Sequence, residues 1–314
     1  MVDYYDEDAV TSVLDLEALL PVIEDAFIAQ HEGRVERPPR PHYPIGVGRE
    51  PAPTEPTGTG LCMPAYIHGS PYAVTKLATV FEGNTAKNLP TVSAQILVHD
   101  ADDGQARALL AATAITNART GCIGGLGAQK LASDPVSLAV FGAGTQARWQ
   151  TRAIDAATDL ESVSIYAPSD SRERCAQELD GQLDAPVSAV SSPKAALEEA
   201  TVIVTATTAT EPVFDGRDLN PGTLVIAVGA YTATMRELDD HTIERAHTVY
   251  ADVPEEAIET GDLRDHTTLE PVPFGECCLE GATAATDDGD ITVLKSVGTA
   301  VLDAATVAFV LERL

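Results

Sequence analysis

Two cationic residues of this sequence lie where the solvation of a charge is hardest. Lys76 falls inside the apolar run 72–80 of a chain that has only five lysines, and Arg119 is flanked by small uncharged residues. A desolvated ammonium has a lowered pKa and can exchange a proton near neutrality, and a guanidinium fork suits a carboxylate. The two residues therefore predict a proton donor and an acid-binding arginine. An edge-strand lysine and a structural salt bridge are the alternatives.

A glycine-rich turn in the middle of the chain predicts a second kind of chemistry. The apolar run 138–141 is followed by Gly142, Gly144 and Ala147, and then by a helix-compatible segment. Gly142 would permit a tight turn, and Gly144 would let the backbone approach a pyrophosphate. Ala147 is small enough for the helix to pack on the sheet. The pattern predicts a dinucleotide and hence a redox reaction, with an ordinary strand–helix turn as the alternative.

The elements that would hold this turn alternate along the second half of the chain. Alternating strands and helices are the order of a doubly wound parallel α/β sheet of the Rossmann type. Strands are expected at residues 138–141, 162–166, 201–205, 224–228 and 248–251, and helices at 146–157, 171–179, 193–200 and 240–246.

The first half, which would position Lys76 and Arg119, has a different pattern. Apolar residues at helical spacing predict a helix over residues 14–30, and the proline and glycine of residues 38–56 predict irregular or edge-strand structure. The further elements expected are strands at 60–66, 72–80 and 91–99, a turn at 102–104, residues 108–110 pairing back, and a helix over 115–131. A last helix, over about residues 299–312, belongs to neither half by sequence alone.

The net charge of −28 comes from 48 acidic residues against 20 basic ones, and the acids are spread over the whole length. This pattern is typical of a soluble protein of a salt-accumulating halophile, in which concentrated counterions screen the self-repulsion. A strongly acidic mesophilic protein is the alternative. So negative a field disfavours nucleic acid as a partner, because phosphate backbones need Lys and Arg patches.

The cysteines and the N-terminal residues indicate a cytoplasmic protein. Cys62, Cys122, Cys175, Cys277 and Cys278 are an odd number without metal-ligand spacing, which favours reduced thiols over a zinc site or a disulfide frame. Residues 1–10 lack the apolar core of a signal peptide. No uninterrupted apolar run reaches membrane-spanning length. We therefore expect neither a membrane segment nor a bound metal.

Short stretches in a fixed order carry a resemblance over nearly the whole chain. They are residues 63–66, 75–77, 88–92, 115–120, 141–146, 227–229, 236–240 and 295–298. Together they resemble the ornithine cyclodeaminase/μ-crystallin family, whose members reduce or oxidise imines and amino acids with NAD(H) or NADP(H) and are typically homodimers. The resemblance implies a Rossmann domain, residues 119–295, and an α+β substrate-binding and dimerisation domain, residues 1–118 with 296–314.

The resemblance also implies roles for single residues. Arg119 would clamp the substrate carboxylate, with Arg40 reaching it as well. Lys76 would protonate or steer the imine nitrogen, and Thr91 would help to hold the substrate. The positions at which the family contacts its dinucleotide are occupied by Thr120, Gly142, Gly144, Thr145, Gln146, Thr207, Val228 and Gly298.

The residues after the second strand of the sheet leave the choice of nucleotide open. An acid directly after this strand would take the ribose hydroxyls and favour NAD, whereas an arginine would favour NADP. The residues found there are Ala167, Pro168, Ser169 and Asp170, with Arg172 and Arg174 a turn later. Ser169 together with an arginine would suit a 2′-phosphate. The expected cofactor is therefore NAD or NADP.

One departure from the family narrows the reaction. Ornithine cyclodeaminases and archaeal alanine dehydrogenases of this family carry an aspartate two residues after the Val-Gly of the fourth strand, where this chain has Tyr231. Without that carboxylate, water addition and ring closure lose their base. Hydride transfer to a preformed imine needs only an acid clamp, a proton source and the cofactor. Residues 235–240 are likewise closer to the μ-crystallin and ketimine-reductase branch.

The sequence therefore predicts an NAD(P)H-dependent reductase of a small imino acid, such as Δ1-pyrroline-2-carboxylate. One alternative in the same fold is oxidative deamination of the alanine dehydrogenase type. Another is an ornithine cyclodeaminase, a lyase that releases ammonia, which Tyr231 disfavours. A further alternative is a non-catalytic protein that retains the dinucleotide and binds a small hormone-like or amino-acid ligand, which the presence of Lys76 and Arg119 disfavours. The predicted partners are a small amino or imino acid and a second copy of the chain.

Overall fold

The computed structural model describes residues 2–49, 54–87, 89–279 and 291–314, and the chain divides into two compact units. Unit 1 contains Met1–Asp15, Glu32–Arg119 and Ala300–Leu314. Unit 2 contains Leu16–His31 and Thr120–Thr299. The last helix of the chain thus belongs to unit 1, and one of the four boundaries between the units falls between Arg119 and Thr120.

The strands and helices of the described residues are as follows. The strands are β1 (Asp3–Tyr5), β2 (Val35–Glu36), β3 (His42–Ile45), β4 (Gly58–Ile67), β5 (Tyr72–Val80), β6 (Val92–Asp100), β7 (Ala106–Ala111), β8 (Val136–Phe141), β9 (Leu160–Tyr166), β10 (Val187–Ala189), β11 (Val202–Thr205), β12 (Leu224–Ala227), β13 (Ala246–Ala251), β14 (Val272–Pro273) and β15 (Ile291–Lys295). The α-helices are α1 (Glu7–Ser12), α2 (Leu16–His31), α3 (Thr113–Leu131), α4 (Thr145–Ala157), α5 (Ser171–Asp180), α6 (Pro193–Leu197), α7 (Asp240–Arg245), α8 (Pro254–Ala257) and α9 (Ala300–Leu311). Short 3-10 helices lie at Glu82–Lys87, Gly216–Asp218 and Phe274–Cys278.

Unit 1 is built on a sheet with the strand order β1-β7-β6-β5-β4-β2, in which β3 also pairs with β4. Neighbouring strands are antiparallel apart from the parallel pair of β1 and β7. Because side chains alternate across a strand, Val74, Lys76 and Ala78 of β5 share one face, and all three are buried. Helix α9 packs on β4 and β5.

Unit 2 is built on a parallel sheet with the strand order β10-β9-β8-β11-β12-β15-β13-β14. Strands β11 and β12 are buried along their whole length, as expected for a parallel sheet that is covered on both faces. The chain leaves β8 for β9 on one side and returns to β11 on the other, so the topological switch point lies beside β8. The predicted Rossmann-type α/β fold is confirmed.

Besides short elements that the sequence analysis did not predict, such as β1, α1 and β10, two larger segments differ from the sequence-based expectation. The strand β15 lies between β12 and β13, whereas the sequence analysis recognised only a helix in the final segment. Helix α2 falls in unit 2, although residues 1–118 were expected to form the substrate domain. Its Phe27 ring packs edge-on against Phe274 at 5.0 Å, and its Gln30 Nε2 donates to the Asp252 carbonyl at 2.7 Å. These contacts with residues distant in sequence explain why α2 belongs to unit 2.

The other predicted helices and strands are confirmed, with ends displaced by a few residues at most. The segment 38–56 contains the short strand β3. Residues 50–53 of that segment, and Asn88 of the stretch 88–92, lie outside the described residues.

Candidate active site

Three charged side chains of unit 1 meet on the buried face of its sheet. Lys76 Nζ lies 2.5 Å from Asp303 Oδ2, and Arg119 Nε lies 3.1 Å from Asp303 Oδ1. Lys76 is 3% exposed, Arg119 5% and Asp303 0%. Each oxygen of one buried carboxylate therefore accepts from a different cation. The structure brings the two predicted residues together through an aspartate that the sequence analysis did not identify.

The environment of Lys76 explains how an ammonium group can exchange protons there. On the neighbouring strands its register partners are Met63 and Ile96, so it is not an edge-strand lysine. The pKa of Lys76 is lowered to about 8, chiefly by burial and also by the positive charges of Arg119 and Arg40, while Asp303 opposes this change. A pKa in this range suits a general acid that works near neutral pH.

Arg119 retains hydrogen-bonding capacity after it has paired with Asp303. Its Nη1 atom is buried and has no hydrogen-bond partner among the described residues. A buried donor without an acceptor costs free energy, and an anionic ligand would remove this cost. Arg40, between β2 and β3, is half-buried and close enough for its charge to lower the pKa of Lys76. Two cations thus pair with one carboxylate, and the charge of Arg40 acts on the same lysine, which leaves an excess of positive charge.

Asp303 is ionised in this setting. Burial alone would raise its pKa, but the charges of Arg119 and Lys76 outweigh burial and hold the pKa below its usual value. Asp303 also lies in the first turn of α9, where the helix dipole favours a negative charge. A sequence signal was present, because Asp303 is the one charged residue within an otherwise apolar helix.

Thr91 lies apart from this group of charges. It is exposed just before β6, and its carbonyl accepts a hydrogen bond from Phe81 N at 2.8 Å. Lys76 pairs with Ile96, so Thr91 is about 16 Å further along the strand at the usual rise per residue. Its predicted contact with the substrate stays a prediction.

The glycine turn of unit 2 has the geometry that a phosphate requires. Gly142 has φ +118°, and a Cβ there would lie 2.5 Å from the Ala206 carbonyl oxygen, so this position needs glycine for the fold. Gly144 is different, because a Cβ there would meet nothing within 4 Å. Gly144 caps α4 without a side-chain hydrogen bond, and the N-terminus of a helix favours an anion through its N–H groups and its dipole. Thr145 opens α4.

The other predicted dinucleotide residues lie mostly at the same edge of the sheet. Thr207, Val228 and Gly298 follow β11, β12 and β15, and the register aligns the carboxyl ends of these strands with that of β8. Ligands of open α/β sheets bind at this edge. Thr120 lies in α3, where its carbonyl accepts from Gln150 Nε2 at 2.7 Å. Gln146 lies in the first turn of α4. These positions fit a dinucleotide.

Two buried acids that the sequence analysis missed hold these loops. The carboxylate of Glu237 accepts from Thr207 N at 2.6 Å and from Gly229 N at 2.8 Å, and also from the Thr205 and Thr207 hydroxyls and from Ala230 N. Asp252 accepts from Gly298 N at 2.8 Å and from Val297 N at 2.9 Å. Both carboxylates therefore fix the backbone of loops predicted to contact the dinucleotide.

A buried ion pair, Lys295 with Asp262, supports the loop after β12. Lys295 Nζ donates to the Ala230 carbonyl at 2.5 Å and to Asp262 Oδ2 at 2.7 Å. Asp262 Oδ1 in turn accepts from Glu237 N at 2.7 Å. Tyr231, at the position where the resemblance predicts an aspartate in other family members, is 50% exposed.

The loop after β9 contains no acid at its start. Ser169 Oγ lies 2.8 Å from Ser171 Oγ, and both residues precede or open α5. Arg172 Nη1 donates to the Ala167 carbonyl at 2.9 Å, and its Nη2 pairs with Glu173 at 2.9 Å. Arg174 is exposed. The guanidinium of Arg172, which is near Ser169, is thus already bound to the loop and to Glu173.

We expect Gly144→Ala to weaken dinucleotide binding about tenfold or more while leaving the free energy of unfolding unchanged. The added methyl group meets no protein atom, but it would occupy the space through which a pyrophosphate approaches the backbone. Calorimetric titration with NADH measures the first quantity, and chemical denaturation the second.

Gly83→Ala is the matched control, because a Cβ at this position also meets nothing within 4 Å. We expect it to leave both quantities unchanged. Equal NADH affinities of the Gly144→Ala variant and the unaltered protein would show that no phosphate approaches at this glycine.

No helix within the described residues is both long and apolar enough to cross a membrane. In the same part of the chain, no group of three or more His, Cys, Asp or Glu residues is placed to hold a metal ion. The five cysteines are free thiols.

Comparison with known sequences gives consistent matches over most of the chain. The sequence model of the ornithine cyclodeaminase/mu-crystallin family matches residues 4–314. A Δ1-pyrroline-2-carboxylate reductase of Paracoccus denitrificans is 36% identical over 266 residues, which are 79% of this chain and 81% of the relative. The ketimine reductase mu-crystallin of Mus musculus is 32% identical over 292 residues, 91% of this chain and 88% of the relative.

Solved structures show the same similarity. The Δ1-pyrroline-2-carboxylate reductase of Thermococcus litoralis, in complex with NADH and L-proline, has a TM-score of 0.90 and 27% identity, and the match covers 100% of this chain and 97% of that chain. An archaeal alanine dehydrogenase dimer with bound NAD has a TM-score of 0.89 and 25% identity, and the match covers 99% of this chain and 95% of that chain.

Proposed function

Because this chain belongs to the ornithine cyclodeaminase/mu-crystallin family, we propose that it is an NAD(P)H-dependent reductase of a small imino acid. The carbon–nitrogen double bond gains a hydride at carbon and a proton at nitrogen, which gives the amino acid and the oxidised dinucleotide. Δ1-Pyrroline-2-carboxylate, which would give proline, is the substrate that we propose to test first. The relative from Paracoccus denitrificans, which is 36% identical, is a reductase of this compound.

The observation that carries this proposal is the buried group of Lys76, Arg119 and Asp303. An imino acid brings a carboxylate and a nitrogen that must gain a proton. The unpartnered Nη1 of Arg119 and the nearby Arg40 provide for the carboxylate, and the ammonium of Lys76 provides the proton. A binding protein without a reaction would have no use for a proton donor of lowered pKa.

The residues divide the work in the following way. Arg119, with Arg40, binds and orients the carboxylate, and Lys76 gives its proton to the imine nitrogen. The bound dinucleotide supplies the hydride. The glycine turn with the first turn of α4 binds its pyrophosphate, and Thr207, Val228 and Gly298 line the same edge of the sheet. Burial of the three charged groups excludes water, which strengthens their electrostatic action.

The pKa of Lys76 predicts opposite pH profiles for the two directions of the reaction. Reduction needs the ammonium form, so kcat/KM for the imine should be level below about pH 8 and should fall above it. Oxidation of the amino acid needs the neutral amine, so its kcat/KM should rise up to about pH 8 and then level off. Initial rates between pH 6 and pH 10, at saturating dinucleotide, measure both profiles.

The Lys76→Met variant is the control for these profiles. Any pH dependence of kcat/KM that this variant retains is caused by titration of the substrate and not of the lysine. If the unaltered protein and this variant had the same profile, the limb near pH 8 could not be assigned to Lys76.

We further propose that the enzyme accepts NADPH as well as NADH. No carboxylate follows β9 directly to repel a 2′-phosphate, and the hydroxyls of Ser169 and Ser171 are donors at the start of α5. Arg172 is held by loop carbonyls and by Glu173, so it gives no strong preference for the phosphate. Comparable KM values for the two nucleotides would support this proposal, and a difference of more than about a hundredfold would contradict it.

A panel of substrates followed at the nicotinamide absorbance tests the function. Oxidation of NADH or NADPH by Δ1-pyrroline-2-carboxylate supports imine reduction. Turnover of pyruvate with ammonia, and none with the imine, would favour alanine dehydrogenase. Ammonia release from ornithine without net oxidation of the nucleotide would indicate the lyase, and no turnover despite tight nucleotide binding would indicate a binding protein.

Amino-acid dehydrogenation is the second candidate, because the archaeal alanine dehydrogenase is similar over nearly the whole chain. Release of ammonia from the imine requires water to add at carbon, and this step needs a base. Tyr231 stands where the family alanine dehydrogenases carry an aspartate, and the exposed phenol has no carboxylate function. Imine reduction does not need this base and is therefore preferred.

We propose that the chain forms a homodimer through the face of the unit 1 sheet opposite to Lys76. Leu77 on this face is 47% exposed, and the register places a mostly apolar row beside it, formed by Pro64, Thr75, Leu97 and Leu109. Apolar surface of this kind commonly marks an interface, and a twofold pair would cover the same patch on both copies. The similar alanine dehydrogenase is described as a dimer. Sedimentation equilibrium tests the assembly.

We also propose that the protein works in the cytoplasm of a salt-accumulating cell. The net charge of −28 needs counterions for screening, and the five free thiols suit a reducing compartment. Activity and the unfolding midpoint should both rise from dilute buffer to molar potassium chloride.

A further inference from the structure

Asp303 lies between the two groups to which the proposed function assigns chemistry. Its Oδ2 accepts from Lys76 Nζ at 2.5 Å, and its Oδ1 accepts from Arg119 Nε at 3.1 Å. We propose that Asp303 is the positioning residue of this site, which keeps the proton on Lys76 and turns Arg119 so that Nη1 faces the substrate carboxylate. This inference rests on the proposed function only for the identity of the substrate, an imino acid. The contacts of Asp303 with Lys76 and Arg119 do not depend on that function.

The way in which Asp303 contacts Arg119 supports the second part. A carboxylate that serves only as a structural counterion commonly binds a guanidinium through both oxygens. Here one oxygen takes Nε and the other is given to Lys76, so Nη1 remains buried and without a partner among the described residues. The guanidinium is therefore fixed at one edge and retains a donor for a second anion.

The charges around Lys76 support the first part. On the flanking strands its register partners are the apolar Met63 and Ile96. The charged groups that affect it are Asp303 on α9, Arg119 on α3 and Arg40 between β2 and β3. Burial and both arginines favour the neutral amine, and Asp303 alone favours the ammonium. Without Asp303, Lys76 would therefore be mostly deprotonated at neutral pH and could not act as the proposed proton donor.

The pKa of Lys76 in the protein without substrate tests this charge relation directly. The chain has only five lysines, so the lysine Nζ and Cε resonances can be followed by NMR in molar potassium chloride and Lys76 assigned with Lys76→Met. We expect a value near 8 in the unaltered protein, and a decrease of about one to three pH units in Asp303→Asn. An unchanged Lys76 pKa in a folded Asp303→Asn protein would overturn the proposal. Asp102→Asn, at an exposed turn of the same unit, should change nothing.

Asp303→Glu tests the positioning of Arg119 and retains the buried charge if Asp303→Asn does not fold. The longer side chain displaces the guanidinium but still provides a counterion. We expect the Lys76 pKa to remain within about one unit of its original value, and KM for the imino acid to rise about tenfold or more, because a bidentate contact depends on orientation. An unchanged KM would show that Asp303 does not orient Arg119. The NMR result needs no turnover, so failure of imine reduction in the substrate panel would leave it interpretable by itself.

Discussion

Lys76→Met is expected to lower kcat for imine reduction about 10²- to 10⁴-fold, because a positioned general acid contributes a factor of this size. Methionine retains an unbranched apolar stem that fills most of the same space. The carboxylate of Asp303 keeps Arg119 as a partner at 3.1 Å, so the fold should survive the substitution. The rate is measured from the loss of nicotinamide absorbance at saturating imine and dinucleotide, in molar potassium chloride.

Three observations separate the loss of a proton donor from damage to the fold. The affinity for NADH, measured by calorimetry, should not change in Lys76→Met. Lys194→Met replaces an exposed lysine of α6 and should retain full turnover. In Lys76→Ala, which leaves a space at the site, added ethylammonium should restore part of the lost rate. Full turnover of Lys76→Met would exclude Lys76 as the donor.

The parts of the fold that could be predicted from sequence are those with a local pattern. Strand β5 was predicted from an apolar run, and the turn after β8 was predicted from the spacing of its glycines. Each of these patterns is contained within a few neighbouring residues. Strand β15 was missed because an isolated apolar run of this length, Ile291–Lys295, does not distinguish a strand from a helix. Only its pairing with β12 and β13 makes it a strand.

The assignment of α2 to unit 2 has the same kind of cause. Its amphipathic pattern predicts a helix but not the surface that buries it. The contacts that decide this are between Phe27 and Phe274 and between Gln30 and Asp252. Both join segments that lie more than two hundred residues apart in the chain, so no local signal can reveal them.

The site was predictable where a residue type is rare and was missed where it is common. Lys76 stands out in a chain with five lysines, whereas Glu237 and Asp252 are two of 48 acidic residues. Nothing in the sequence distinguishes an acid that accepts five hydrogen bonds inside the protein from an acid that is solvated on the surface. Asp303 is intermediate, because its apolar helix sets it apart. A search for lone charges within apolar runs would have found it.

Arg119→Met is expected to raise KM for the imino acid about a hundredfold, because the substrate carboxylate would lose a buried charged donor, and such losses cost about 2–5 kcal/mol. The effect on kcat should be smaller, since Lys76 still provides the proton. The affinity for NADH should remain unchanged. Arg119→Lys should recover only part of the binding, because an ammonium cannot reproduce the guanidinium fork.

The alternative to this role is that Arg119 serves only as a structural partner of Asp303, and the contact at 3.1 Å is compatible with both. The ratio of kcat/KM for the imino acid to kcat/KM for its carboxamide distinguishes these two roles. This ratio does not depend on how much of the protein is folded. Binding of the carboxylate by Arg119 predicts a strong preference for the acid that collapses in Arg119→Met. Arg107→Met, which removes an exposed arginine paired with Asp100, should leave the preference intact. If the preference persisted in Arg119→Met, the arginine would be structural and the acid would have to be recognised through Arg40.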